Sequence, residues 1–401
     1  MRRAATSPPP ADPAEVRGHC EPAFEALRRA LVEIMATGSE VGAALAVHVG
    51  KRAVVDLWTG HQDSARTRLW AEDTLVNLYS VGKAVTAVCA LRLVEEGALE
   101  LDAPVSRYWP EFAQAGKQHL PVRYLLTHQA GLPAVFRPLP PGAVLQWNVM
   151  AEALAAQEPW WTPGGGHGYH VNTYGFLIGE VVRRITGRSL GAYLREEIAG
   201  PAGLDFHIGF GPELDARCAD VIAPRPGPDA EPGRAGIGGE LTTLTGLDRM
   251  REGAYRNPTD LSGQGIINTR GWRAAEVPST NGHGNARAVS RLYAALSDDG
   301  DLDGVHILFP ATVEMAVVEQ VYGEDRVLQR PTRFGLGFQL TMAERPLGPG
   351  LRSFGHFGAG GSLGFGDPDA HVAVAYAMNQ GRGGWQHKHV RRLIDLVYEA
   401  L

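Results

Sequence analysis

The run Ser80-Val81-Gly82-Lys83 is the sharpest chemical feature of the chain. A serine hydroxyl becomes a nucleophile when a base takes its proton. A lysine can be that base only while it is neutral, and apolar surroundings lower its pKa. Helix positions three apart share a face, so Lys83 would sit one turn from Ser80 with its amine at the hydroxyl. The text around it, VGKAVTAVCALRLVEE over 81–96, is apolar on nearly every face and predicts a buried helix closed by Gly97. Ser80 ends a β-like run, TLVNLYS over 74–80, and so opens that helix. Free N–H groups at a helix start can receive an oxyanion. Alone, S-x-x-K is a weak signal, because chance matches usually carry the lysine on a solvated face.

Two further segments add to it. The loop from Trp161 to Asn172 carries Tyr169 and Asn172 among Gly164, Gly165, Gly166 and Gly168. Glycines let backbone approach a ligand, and a tyrosine near Ser80 and Lys83 could relay a proton to a leaving group. Near the end of the chain, His356-Phe357-Gly358-Ala359-Gly360-Gly361 follows a strand-like run. Its glycines leave room for a substrate and expose N–H groups.

The elements that must position these residues are legible in outline. A helix is predicted over 21–36, stopped by Gly38. Strands are predicted over 41–49 and 52–58, joined as a hairpin at Gly50-Lys51. Helices follow over 81–96, 175–186 and 286–297. Residues 102–270 mix short helices with Pro- and Gly-rich loops. Strands return over 335–340, 352–357, 362–366 and 371–378, and a helix over 389–401 closes the chain. Strands at both ends with helices between predict an α+β fold. Its antiparallel sheet would be built from both chain ends, flanked by helices and split by a mainly helical insertion. The expected boundaries are a flexible lead-in over 1–20, a discontinuous sheet domain over 21–75 and 285–401, and the insertion over 76–284. The active site is expected at the interface.

Taken together, these residues resemble the serine β-lactamase/penicillin-binding-protein superfamily, and within it the family VIII carboxylesterases. The carriers are Ser80-Val81-Gly82-Lys83, EGALELD over 96–102, Pro104-Val105 with Tyr108-Trp109-Pro110, LLTHQAGL over 125–132, the Pro163 to Tyr169 loop, and His356-Phe357-Gly358. The similarity runs over roughly residues 20–400. It implies a β-lactamase/transpeptidase-like fold, with Ser80 as the acylated nucleophile and Lys83 as its general base. It implies that Tyr169 shuttles protons with the lysine, with Asn172 as companion. The Tyr169–Asn172 spacing is one residue longer than the family's Tyr-x-Asn, so Tyr174 is a rival. The family's Lys-Thr-Gly aligns with His356-Phe357-Gly358, and the oxyanion hole would be the N–H groups of Ser80 and Ala359. Phe357 replaces a hydroxyl with apolar surface, which favours neutral esters over penicillins. Trp147, Trp160, Trp161 and Phe136 could wall such a pocket, or pack in the interior.

Bulk properties exclude other classes. The 401-residue chain carries 38 Lys and Arg against 44 Asp and Glu, a net charge of −6. That opposes a nucleic-acid footprint, which needs a basic patch. No apolar run reaches the roughly 18 residues of a membrane span. The start, Met1-Arg2-Arg3 then AATSPPPADPAE, lacks the apolar core of a secretory signal, so a cytoplasmic location is expected. Three cysteines, Cys20, Cys89 and Cys218, with no C-x-x-C pair, fit a reducing compartment. The histidines show no zinc-binding pattern, and no phosphate-binding glycine string is complete, so no metal or cofactor is expected. The 401-residue chain holds 50 glycines, roughly an eighth, against an average of about 7%, with no G-x-y period.

One motif is a decoy. Gly360-Gly361-Ser362-Leu363-Gly364 matches G-x-S-x-G, but a nucleophile elbow needs a helix after the serine. Turn and strand text follows instead, so Ser362 reads as part of a turn. His128 reads as a residue that caps or orients a loop, Cys89 as a core thiol, and His387 and His389 as surface residues. The expected function is a serine hydrolase forming an acyl-enzyme on Ser80, a carboxylesterase acting on small to medium esters. The alternatives are an acyltransferase of secondary metabolism using the same intermediate, a weak β-lactamase or D-amino-peptidase, and an inactive binding protein. The expected partner is a small-molecule ester or amide.

Overall fold

The computed structural model describes residues 15–224, 241–382 and 387–401. Its centre is a nine-stranded antiparallel sheet. The order across it is Arg17–Cys20, Arg52–Gly60, Gly42–Val49, Val372–Met378, Leu363–Asp367, Phe354–Phe357, Gln339–Leu340, Pro331–Phe334 and Val321–Glu324. The two ends of the chain meet where Gly42–Val49 pairs with Val372–Met378, Val372 opposite Val49 and Met378 opposite Ala43.

Alternation along these strands sorts the core into two layers. Ala43, Leu45, Val47, Val372, Val374, Tyr376 and Met378 face the helices Glu25–Ala36 and Lys388–Glu399. Ala44, Ala46, Ala373, Ala375 and Ala377 face the other way, toward the helix Ala286–Leu296. Alanines on that face let the helix lie close to the sheet. Beyond it stand Val81–Glu95 and Thr173–Thr186, which pack on each other. Val81–Glu95 is buried along almost its whole length, because nearly every position on it is apolar.

The observed α+β architecture is the one predicted. Three expectations are corrected. The lead-in over 1–20 ends earlier, because Arg17–Cys20 pairs with Val55–Trp58 as an edge strand; the part of it before residue 15 lies outside the described residues. His387 and His389 are partly buried and stacked, with ring centroids 5.7 Å apart, and His389 Nε2 lies 3.2 Å from the buried Glu40. The strand expected over 335–340 is confined to Gln339–Leu340, and the hairpin Val321–Glu324/Pro331–Phe334 was not anticipated. Among the described residues, no helix is long and apolar enough to cross a membrane.

Candidate active site

Ser80 sits at the start of the Val81–Glu95 helix and its hydroxyl makes no capping bond to that helix. The residue before it, Tyr79, has φ +50°, a conformation that costs a non-glycine residue on the order of 1–3 kcal/mol. The hydroxyl left free of capping meets Lys83, whose Nζ lies 3.2 Å from Ser80 Oγ. Lys83 is fully buried. Burial drives its pKa well below the ordinary lysine value, and among the described residues no carboxylate offsets it.

Two backbone carbonyls complete the surroundings of Lys83. Nζ donates to Val171 O at 2.6 Å and to Ser279 O at 3.1 Å. The Ser279 loop reaches this point because Gly82 has no side chain: a Cβ there would stand 2.7 Å from Pro278 O. The loop is also held by Ser279 Oγ, which accepts from Gly175 N at 2.6 Å. Sequence reasoning missed Ser279, since a carbonyl partner leaves no side-chain signature.

Tyr169 lies across the lysine, with Nζ 4.7 Å from the ring centroid. Its hydroxyl is hydrogen-bonded to Ser80, and burial pushes its pKa well above the ordinary phenol value. On its other side, Tyr169 Oη is 3.4 Å from His356 Nε2. His356 Nδ1 faces the Phe357 carbonyl at 2.7 Å and must donate to it, which leaves Nε2 as an acceptor. Burial above all lowers the His356 pKa to about 3, so the ring is neutral. Tyr174 does not reach this cluster through its hydroxyl, which finds no partner among the described residues.

The turn after Phe354–Phe357 is drawn against the turn before Ser80. Ser362 Oγ donates to Leu78 O at 3.0 Å, and Gly358 N donates to Ser362 O at 2.7 Å. Gly358 is packed so closely that a Cβ would stand 2.0 Å from Ser362 Oγ and 2.5 Å from Leu78 O. The exposed Ala359 follows it, and Ser80 itself is 7% exposed. The N–H groups of Ser80 and Ala359 donate to no acceptor among the described residues. The Ser80 hydroxyl and the buried Lys83 amine are thus in contact, and the bond from Ser362 ties the turn that carries Ala359 to Leu78, two residues before Ser80. The decoy Ser362 is a buried brace between the two turns.

Two expected site residues point elsewhere. Phe357 adjoins His356 on a strand, so it turns to the opposite face, into the layer of Leu363, Phe365 and Met378. Its ring is taken up by that layer, and the ester preference inferred from it loses its basis. The Asn172 amide is spent within the protein. It donates to Ala254 O and Ser262 Oγ, both at 2.8 Å, and accepts from Thr280 Oγ1 at 2.6 Å. Of the aromatics, Trp147 donates to buried Glu180 and packs on Phe176, while Phe136 pairs with Trp160. Among the described residues, no group of three His, Cys, Asp or Glu could hold a metal.

Comparison with known proteins places this geometry in context. A family model described as Beta-lactamase matches residues 27–399. The chain is 32% identical over 375 residues to Esterase/beta-lactamase LipL of Mycobacterium tuberculosis (strain ATCC 25618 / H37Rv), covering 91% of this chain and 83% of that protein. Among solved structures, a penicillin-binding protein homolog from Caulobacter crescentus superimposes with a TM-score of 0.87 at 37% identity, covering 96% of this chain and 100% of that one. A family VIII carboxylesterase superimposes with a TM-score of 0.87 at 36% identity, covering 96% of this chain and 100% of that one.

Proposed function

The chain belongs to the β-lactamase family, and from that premise we propose that it is a serine hydrolase that acylates Ser80 and acts on small to medium neutral esters. The observation that carries the reading is the contact of Ser80 Oγ with a fully buried lysine that has no counter-ion among the described residues.

A neutral Lys83 has two N–H bonds and one lone pair. The N–H bonds go to Val171 O and Ser279 O, and the lone pair is left for the Ser80 proton. In the first step Ser80 Oγ adds to the ester carbonyl while Lys83 takes the hydroxyl proton. The oxyanion forms against the N–H groups of Ser80 and Ala359. Collapse expels the alkoxide, which takes a proton from Tyr169; Tyr169 is restored from the Lys83 ammonium. Water then adds to the acyl-enzyme with Lys83 again as base, releasing the acid and free Ser80.

The neutral His356 supports esters over lactams or peptides bearing a carboxylate. The Lys-Thr-Gly of lactamases presents a cation to that carboxylate, whereas a ring with a pKa of about 3 presents none. The carboxylesterase among the solved structures supports the ester reading, and the relative named Esterase/beta-lactamase LipL carries both activities in its name.

The test is turnover of p-nitrophenyl butyrate and nitrocefin by the wild type and by Ser80→Ala. Ester turnover should vanish in the variant, and the wild type should prefer the ester to nitrocefin. Ester turnover retained by Ser80→Ala would remove Ser80 from the mechanism. Adding a primary alcohol separates hydrolysis from acyl transfer, because transfer gives a new ester in place of the acid.

A further inference from the structure

Tyr169 is held by the main chain on both sides. Three successive N–H groups are received by two residues far away in sequence. Gly168 N donates to His128 O at 3.1 Å, and His170 N donates to His128 Nδ1 at 3.1 Å. Between them, Tyr169 N donates to both carboxylate oxygens of Asp325, each at 3.0 Å.

Asp325 lies in the turn of the hairpin Val321–Glu324/Pro331–Phe334 at the sheet edge. Its carboxylate is fully buried. It also accepts from Val327 N at 2.9 Å, Leu328 N at 2.8 Å and Thr332 Oγ1 at 3.2 Å. Thr332 in turn stands 2.7 Å from His167 Nε2, and the His167 ring is 3.9 Å from Asp325. Among the described residues, no Lys or Arg pairs with this carboxylate. A buried charge without a cation is costly unless donors surround it. Here every neighbour donates, so an acceptor-only group is required and an amide would turn an NH2 toward donors. The same hairpin lays Phe334 flat on the Tyr169 ring, with centroids 5.9 Å apart and planes 9° apart.

We propose that Asp325 is the positioning residue that fixes Tyr169 for proton delivery to the leaving group. The inference rests on the role given to Tyr169 above. Fixing the Tyr169 backbone from the hairpin sets the ring between Lys83 and Phe334, and the hydroxyl between Ser80 and His356. Its negative charge also favours the protonated phenol, the form that donates.

The test reads leaving-group dependence. A p-nitrophenolate departs without a proton, whereas a simple alkoxide needs one. Asp325→Asn should therefore lose roughly tenfold or more kcat on an ethyl ester beyond any loss on the p-nitrophenyl ester of the same acid, with KM little changed. Tyr169→Phe should show the same selective loss. General damage to the fold would lower both substrates together. Thr332→Val removes one donor to Asp325 and should show the same bias to a smaller degree; it decides the matter if Asp325→Asn does not fold. Selective loss in Tyr169→Phe with equal losses in Asp325→Asn, or in Thr332→Val where that variant decides, overturns the proposal. Equal losses in Tyr169→Phe, or ester turnover that survives Ser80→Ala, overturn the reading beneath it and the proposal with it.

Discussion

Lys83 Nζ stands 3.2 Å from Ser80 Oγ, and its two other partners, Val171 O and Ser279 O, can only accept. This arrangement uses both N–H bonds of a neutral amine and leaves its lone pair for the serine. Lys83→Met should lower kcat/KM for p-nitrophenyl butyrate by about 10²–10⁴, the range of a general base. Lys83→Arg should not restore it, because guanidinium does not deprotonate in this range. The ester rate should fall as pH falls through the lowered lysine pKa, with its midpoint well below the ordinary 10.5. A midpoint near 10.5 would contradict a buried neutral base.

Acid should destabilise the fold through its buried rings. His170, His283 and His356 have pKa values lowered to about 3, and His48 to about 4, each mainly by burial. The unfolded chain takes up these protons near pH 6.5, while the folded chain resists until pH 3–4. Between those values the unfolded state binds more protons, so stability falls as pH falls. At pH 5 each ring should cost about 2 kcal/mol. Thermal unfolding followed from pH 8 to 4.5 should show a steady Tm down to about 6.5 and a steep decline below it. His283→Asn should flatten that decline, and an unchanged slope would count against the linkage.

The two tyrosines should separate cleanly. Tyr169→Phe should depress kcat on ethyl esters, since it removes the hydroxyl beside Ser80. Tyr174→Phe should leave the kinetics alone and raise stability by about 1 kcal/mol, because it deletes a buried hydroxyl that has no partner among the described residues. Denaturant titration and steady-state kinetics on both variants check this. A kinetic loss in Tyr174→Phe matching that of Tyr169→Phe would reverse the assignment.

Gly358 is required by space rather than by its backbone angle. Its φ of −98° suits any residue, but a Cβ would meet Ser362 Oγ and Leu78 O. Gly358→Ala should push the Ala359 turn from the Ser80 turn. The expected cost is about 1–3 kcal/mol of stability, with a kcat loss of roughly tenfold or more from a displaced oxyanion donor. Full activity in Gly358→Ala would show that the spacing of these turns is not critical.

The parts of the site legible in the sequence are the local ones. Ser80 and Lys83 are one helical turn apart, and the apolar residues around them announce burial. His356 was found through its glycines. Phe357 follows His356 directly on a strand, where neighbouring residues face opposite ways, so the period of two separates it from the site. Asp325 was invisible for a different reason. It acts on Tyr169 across 156 positions, from a hairpin of two four-residue strands, one of which begins with Pro331. Asn172 shows the converse, since residue type and spacing suggested a ligand while its partners are Ala254, Ser262 and Thr280.

The central claim is that Ser80, activated by Lys83, carries the acyl group. Intact-mass measurement of the protein quenched during turnover of an ester panel, followed by peptide mapping, tests it directly. One acyl adduct on the peptide holding Ser80, absent in Ser80→Ala and sharply reduced in Lys83→Met, is the predicted result. An adduct on Ser362, or Ser80 labelling as fast in Lys83→Met as in the wild type, would contradict the account.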